Sequence, residues 1–128
     1  MNIVQKAVKA AQDRLQQVAG TSLIYKREGA GQVTLRGVAG SSQFNSTDAS
    51  GVTITYRTKD WIVPACDLVF GGQQAEPKNE DEIHERVGNK VVVYVVRRPE
   101  GGEAVYRYSD SGRSHLRIHC VEGQVNNA

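Results

Sequence analysis

Three β-prone runs separated by turn chemistry fill the last third of the chain, and they constrain its fold more than any other feature. Val91-Val92-Val93-Tyr94-Val95-Val96 runs into Arg97-Arg98-Pro99-Glu100-Gly101-Gly102. Ala104–Asp110 and Arg113–Cys120 follow, divided by Ser111-Gly112. β-branched and aromatic residues bounded by Gly, Pro and Asp read as strand, turn, strand, polar turn, strand. Ser109, Asp110, His115 and His119 crowd around the polar turn. Whether that crowd is a reactive site or a structural corner decides whether the chain is an enzyme.

The same period of two runs upstream. Leu23, Tyr25 and Arg27 alternate with Ile24 and Lys26, and Val33 and Leu35 share one side of a second strand over 32–37. Gly29-Ala30-Gly31 is the turn between them. Val52, Ile54 and Tyr56 alternate with Thr53, Thr55 and Arg57. This strand is expected to continue through Trp61-Ile62-Val63 and to stop at Pro64, which has no N–H to donate. Ala65–Phe70 suits one short helical turn. Glu82–Arg86 reads as a short strand turning at Gly88-Asn89.

Residues 2–19 read differently. Val4, Val8, Ala11, Leu15 and Val18 recur at helical spacing, with Lys6, Lys9, Asp13, Arg14 and Gln17 on the opposite face and Gly20 as the stop. The expected fold is therefore mainly β: a small β-barrel or sandwich of six to seven short antiparallel strands with an N-terminal α-helix. It is expected as a single domain over 1–128, with the β portion over 21–121. Two stretches without period, 37–51 and 71–79, are expected as long loops, and 122–128 as a flexible tail.

Composition narrows the function classes. The chain has 128 residues, a formal net charge of +2 and 39% hydrophobic residues. That balance does not suggest a strong duplex binder, which needs a clustered basic surface. No apolar run approaches the roughly 20 residues that span a bilayer, so no membrane partner is expected. Gln5, Lys6, Lys9 and Gln12 interrupt the N-terminal apolar residues, so no signal peptide is expected. Cys66 and Cys120 stand far apart, without a CxxC, and are expected to be reduced, half-buried packing residues of a cytosol-made protein.

The candidate chemistry weakens on inspection. Ser109-Asp110-Ser111-Gly112 is good turn sequence, because Asp and Ser bond the local backbone and Gly supplies positive φ. No GxSxG elbow accompanies it. His115 and His119 have HxxxH spacing, but on a strand residues four apart stand about 13 Å from each other, too far for one ion with bonds near 2 Å. Cys120 points away from His119. No GxGxxG or P-loop frame holds a nucleotide. The sequence thus implies no catalytic residues, no metal and no cofactor. A small nucleic-acid-binding β-barrel is the alternative, with Tyr25, Tyr56, Tyr94, Tyr106 and Tyr108 as stacking candidates. A hydrolase using Ser109, Asp110 and His115 is a third reading.

Charge is unevenly laid out. Glu76, Glu80, Asp81, Glu82 and Glu85 form an acidic block, and Arg97, Arg98, Arg107, Arg113 and Arg117 a basic set. Two unlike surfaces on one chain suit head-to-tail contacts that close into rings. Glu80, Asp81, Glu82 and those five arginines are therefore the candidate interface residues.

At this point the sequence resembles a known family. Tyr106-Arg107-Tyr108-Ser109-Asp110, then Arg113 and Leu116-Arg117-Ile118-His119, is similar to the signature of phage head-completion, or stopper-like, head–tail connector proteins. Asp60-Trp61-Ile62-Val63 with Pro64-Ala65-Cys66-Asp67-Leu68 resembles their middle section. Pro77, Glu80-Asp81-Glu82-Ile83 and Gly88 resemble their P-x-x-G-D-x-I…G segment. The chain departs where Glu80 stands for the usual Gly, and at Ser111-Gly112. The resemblance covers roughly 52–121.

The resemblance implies a non-enzymatic virion protein of the phage neck, made in the bacterial host cytoplasm. It implies a ring of copies beneath the portal, with portal or adaptor proteins on one side and tail proteins on the other. It leaves room for transient contact with packaged DNA. By length and composition, Ser41, Ser42, Gln43, Phe44, Asn45 and Ser46 are the candidate channel-facing loop, since a stretch without Lys or Arg would let DNA slide.

Overall fold

The computed structural model describes residues 20–127, and the expected helix over 2–19 lies outside them. Nine strands follow in order: β1 (Thr21–Arg27), β2 (Gly31–Thr47), β3 (Thr53–Pro64), β4 (Val69–Phe70), β5 (Gln73–Gln74), β6 (Glu82–Val87), β7 (Lys90–Val96), β8 (Tyr106–Tyr108) and β9 (His115–Asn127). A single 3-10 turn, Ala65–Asp67, separates β3 from β4. The fold is mainly β, as the period-two pattern predicts.

Seven strands form one antiparallel sheet in the order β3-β2-β1-β6-β7-β9-β8, with a further pairing between β3 and β9. The hydrogen-bonded ladder therefore returns to its starting strand through β3, β2, β1, β6, β7 and β9. β4 and β5 make a separate two-stranded hairpin.

Alternation explains the interior. Leu23 and Tyr25 of β1, Leu35 of β2, Trp61 and Val63 of β3, Ile83 of β6, Tyr94 and Val96 of β7, and Leu116, Ile118 and Cys120 of β9 all point into one buried cluster. Leu68 joins it from the connection after β3. Each full burial of such a side chain contributes on the order of 1.5–3 kcal/mol. Gly37 sits where β2 leaves β1 for β3. A Cβ there would stand 2.7 Å from Leu23 Cδ1 and 3.1 Å from Val63 Cγ1, so glycine permits the close approach.

Four sequence expectations change. The stretch 37–51 is not a loop: residues up to Thr47 belong to β2 and pair in continuous register with β3, from Val38↔Ile62 to Thr47↔Thr53. The expected loop over 71–79 carries the β4–β5 hairpin, Val69↔Gln74 and Phe70↔Gln73. The tail is not frayed through Asn127, because β9 pairs with β7 out to Lys90↔Asn127, across a bulge between Val92 and Tyr94. Neither cysteine is in a disulfide, and they are not both half-buried: Cys66 is exposed and Cys120 is buried.

Candidate functional site

The most distinctive construction is the far half of the β2–β3 hairpin and the way it is anchored. Ser41–Thr47 and Thr53–Lys59 form a two-stranded ribbon; Ile54 and Tyr56 alternate on its β3 strand, while its β2 strand has Phe44 as its one apolar residue. Its tip is held by Asp48. The Oδ1 atom accepts from Ser50 N at 2.9 Å, Ser50 Oγ at 2.6 Å and Val52 N at 3.0 Å. Gly51 takes φ 87°, which a side chain would resist. Thr55 Oγ1 donates to Asn45 Oδ1 at 3.0 Å across the ribbon.

The base of the ribbon is fixed by a buried carboxylate. Asp60 has 0% exposure. It accepts from Ser42 Oγ, from Thr58 Oγ1 at 2.6 Å, from Arg117 Nη1 at 2.9 Å and from His119 Nδ1 at 3.0 Å. Burial alone would raise its pKa, but the bonds from His119, Ser42, Thr58 and Arg117 outweigh burial and hold the carboxyl well below the usual range. Such a charge is tolerable inside only because its lone pairs are occupied. Strands β2, β3 and β9 each supply a donor, so one side chain ties three strands together.

Local sequence builds this knot. Asp60 stands opposite Gly40 on one side and His119 on the other. A Cβ at Gly40 would lie 3.0 Å from Arg117 Nη1, so glycine leaves room for the guanidinium. Arg117 Nη1 also donates to Ser41 O at 3.2 Å. Phe44 covers the knot, meeting the His119 ring edge-to-face at 5.1 Å. The connection after β7 lies over both. A Cβ at Gly102 would come 3.2 Å from Phe44 Cε1, and one at Gly101, already at φ 83°, would strike the carbonyl of Asn45.

The six candidate channel residues thus belong to β2. Ser41, Gln43 and Asn45 are exposed, whereas Ser42, Phe44 and Ser46 are half-buried. The ribbon is not free of cations: Lys59 pairs with Ser41 in register, and Arg57 with Gln43.

The candidate interface residues scatter. Asp81 is 5% exposed, accepts from Tyr25 Oη at 2.5 Å and pairs with Arg27 Nη2 at 2.8 Å. That contact and burial push the Tyr25 phenol up, with burial the larger cause. Glu80 makes an exposed pair with Arg97 at 3.2 Å. Glu82 contacts His84 at 2.8 Å. The Arg113 guanidinium lies 5.5 Å from the Tyr108 ring centroid. Arg98 and Arg107 are exposed.

The polar turn is built around Asp110, whose carboxylate accepts from Ser114 N, Ser114 Oγ and His115 N at 3.0, 2.8 and 3.0 Å. Burial opposes these bonds, which still lower its pKa. Ser109 Oγ is buried with no hydrogen-bond partner. A nucleophile is activated by a hydrogen bond to a base, and Ser109 Oγ makes no hydrogen bond among the described residues. The positive φ of the corner belongs to Arg113, at 56°, rather than to Gly112. His115 lies beside Ser114 and His119 against Asp60. Of the stacking candidates, Tyr25 and Tyr94 are buried, and Tyr106 and Tyr108 pack edge-to-face on each other at 5.9 Å.

Sequence reasoning passed over Asp60 as a site residue. Its signal was a carboxylate placed between Thr58 and Ile62 on an otherwise well-patterned strand. A charge there demands buried donors.

Together these features describe an antiparallel β scaffold carrying a long, largely polar ribbon hydrogen-bonded at its tip and its base. The family model described as phage head-tail joining protein matches residues 1–127, and the chain belongs to that family. The family is a structural one, of virion proteins that join phage heads to tails. No curated protein matches the chain.

Proposed function

We propose that this chain is a neck connector that forms an oligomeric ring and joins the portal of the DNA-filled head to the tail. The family match over residues 1–127 carries this reading. The six-strand ladder that returns to its first strand supports a small β-barrel as the body of each copy. The β2–β3 ribbon, with Ser41, Gln43 and Asn45 on its exposed face, is the element that reaches toward the channel. Glu80, Arg97, Arg98 and Arg107 are exposed and Glu82 is half-buried, which leaves them available to neighbours, while Asp81 and Arg117 hold the copy's own fold. The chain acts by shape and assembly, in the virion, after synthesis in the host cytoplasm.

The test is assembly. The full-length chain, mixed with portal rings or with tailless filled heads, is imaged by electron microscopy. A ring of added density below the portal is expected, with tails then attaching. Heads that accept tails equally well without the chain would overturn the reading.

A further inference from the structure

The sheet has two open edges that match each other. β3 and β9 pair from Lys59↔Cys120 to Pro64↔His115. Beyond Lys59 and Cys120 both strands continue, but not as partners. Thr53–Thr58 keeps β2 on its other edge. Val121–Asn127 keeps β7 on its other edge. Cys120 itself pairs with both Lys59 and Val96, which fixes β3 and β7 on opposite sides of β9. Among the described residues, nothing pairs with the β9-facing edge of Thr53–Thr58 or with the β3-facing edge of Val121–Asn127.

Such edges present rows of unused N–H and C=O groups, and proteins normally cover or blunt them. Here Ile54 on one edge strand and Val121 and Val125 on the other are exposed apolar side chains. Val52, Ile54, Val87, Val121 and Val125 are the exposed large apolar residues, at 40–54% exposure. All five lie on the two diverging ribbons: Val52 and Ile54 on the β2–β3 side, and Val87, Val121 and Val125 on the β6–β7–β9 side.

Charge points to the occupant. Continuing the Lys59↔Cys120 register by two residues places Arg57 opposite Glu122. Both are exposed, and neither forms an ion pair among the described residues. Opposite charges directly across an antiparallel pair are favourable. Each chain thus carries two different, mutually complementary edges that it does not join within itself.

We infer that the Thr53–Thr58 edge of one copy pairs antiparallel with the Val121–Asn127 edge of a second copy, with Arg57 facing Glu122 of the partner. An edge-to-different-edge contact is heterologous, so it repeats from copy to copy and closes when the rotation allows. The inference rests on the oligomeric reading above and names the strands that would make the contact.

Disulfide trapping tests it on the full-length chain. Two differently tagged chains are made in a Cys66→Ser background, one with Arg57→Cys and the other with Glu122→Cys. They are mixed, assembled onto portal-bearing heads and oxidised. A covalent heterodimer is expected as the main trapped species, with neither variant alone giving more than background, because facing cross-strand residues have Cβ atoms within disulfide reach. Charge reversal supplies a second readout. Arg57→Glu is expected to weaken self-association at least tenfold, and adding Glu122→Arg to the same chain to restore it.

Rings that form without the heterodimer, and that tolerate Arg57→Glu, would overturn this contact while leaving the connector reading in place. A chain that stays monomeric even in joined particles would overturn both.

Discussion

The imidazole of His119 donates through Nδ1 to the carboxylate of Asp60 at 3.0 Å, across adjacent strands and 59 residues of sequence. That bond joins β3 to β9 where the ladder closes. Ser42 brings β2 into the same knot, and Phe44 lies over it.

Asp60→Asn leaves Arg117 beside a neutral amide and forces one amide proton pair against His119 or the hydroxyls. Removing one partner of a buried charge cluster costs about 3–5 kcal/mol. The expected measurement is a lower urea midpoint at pH 7. The pKa of Asp60 is depressed in the folded state, so its stabilisation is complete above the unfolded value, near 3.9. It declines as pH falls below that value toward the folded pKa. The gap between wild type and Asp60→Asn should therefore narrow below about pH 4. A gap that does not change with pH would show that the charge contributes nothing.

Phe44→Ala removes an aromatic ring that rests on His119 and beneath Gly102. The ring is half-buried, so a loss of about 1–2 kcal/mol is expected. The more specific outcome is local. Amide exchange should quicken in Ser41–Asn45 and the facing residues of β3 more than in β1 or β6.

Glu80 adopts φ 74°. The signature that the chain resembles has Gly at this position, and a left-handed backbone is what Gly accepts without penalty. Glu80→Gly should therefore relieve about 1 kcal/mol of strain. It also loses the exposed contact to Arg97, worth well under 1 kcal/mol after solvent screening. A modest rise in the urea midpoint is expected.

Ser109→Ala deletes a buried hydroxyl that has no partner. Thermal unfolding should be unchanged or slightly raised, because an unsatisfied polar atom is removed from the interior. A marked destabilisation would mean that Ser109 has a structural partner after all. Ser114→Ala is the contrast. It breaks the hydroxyl bond to Asp110 and should cost about 1 kcal/mol.

Much of this architecture was legible in the sequence where one face is apolar. Leu23 and Tyr25, Trp61 and Val63, and Leu116, Ile118 and Cys120 alternate as a buried sheet face must, and their strands were readable. The far half of β2 was not. Gly40-Ser41-Ser42-Gln43 and Asn45-Ser46-Thr47 carry no apolar rhythm, because neither face of the ribbon borders a deep core. That segment is strand because β3 supplies its ladder and Phe44 its anchor. The end of β9 was hidden in the same way: Glu122-Gly123-Gln124 reads as tail, yet β7 pairs with it. The partners of Asp60 were hidden for another reason, since Arg117 and His119 lie 57 and 59 residues away in the chain. At the polar turn Asp110 accepts from the Ser114 and His115 amides, and the positive φ falls on Arg113, a position that no local turn signal in Ser109-Asp110-Ser111-Gly112 marks.

The return of the ladder to its first strand has a kinetic consequence. β2–β3 and β6–β7 can form as local hairpins. The β3–β9 seam must bring together residues such as Asp60 and His119, 59 positions apart, and β1 must find β6 over a similar span, from Lys26↔Glu82 to Leu23↔Glu85. Loop closure makes such distant pairings slower than the hairpins, since its entropy must be spent before the seam returns any energy. Until it forms, both strands are fully exposed along their edges, and newly made chains are most prone to stick to one another. Slow synthesis or low temperature should thus raise the yield of folded protein far more than any change that leaves the seam untouched.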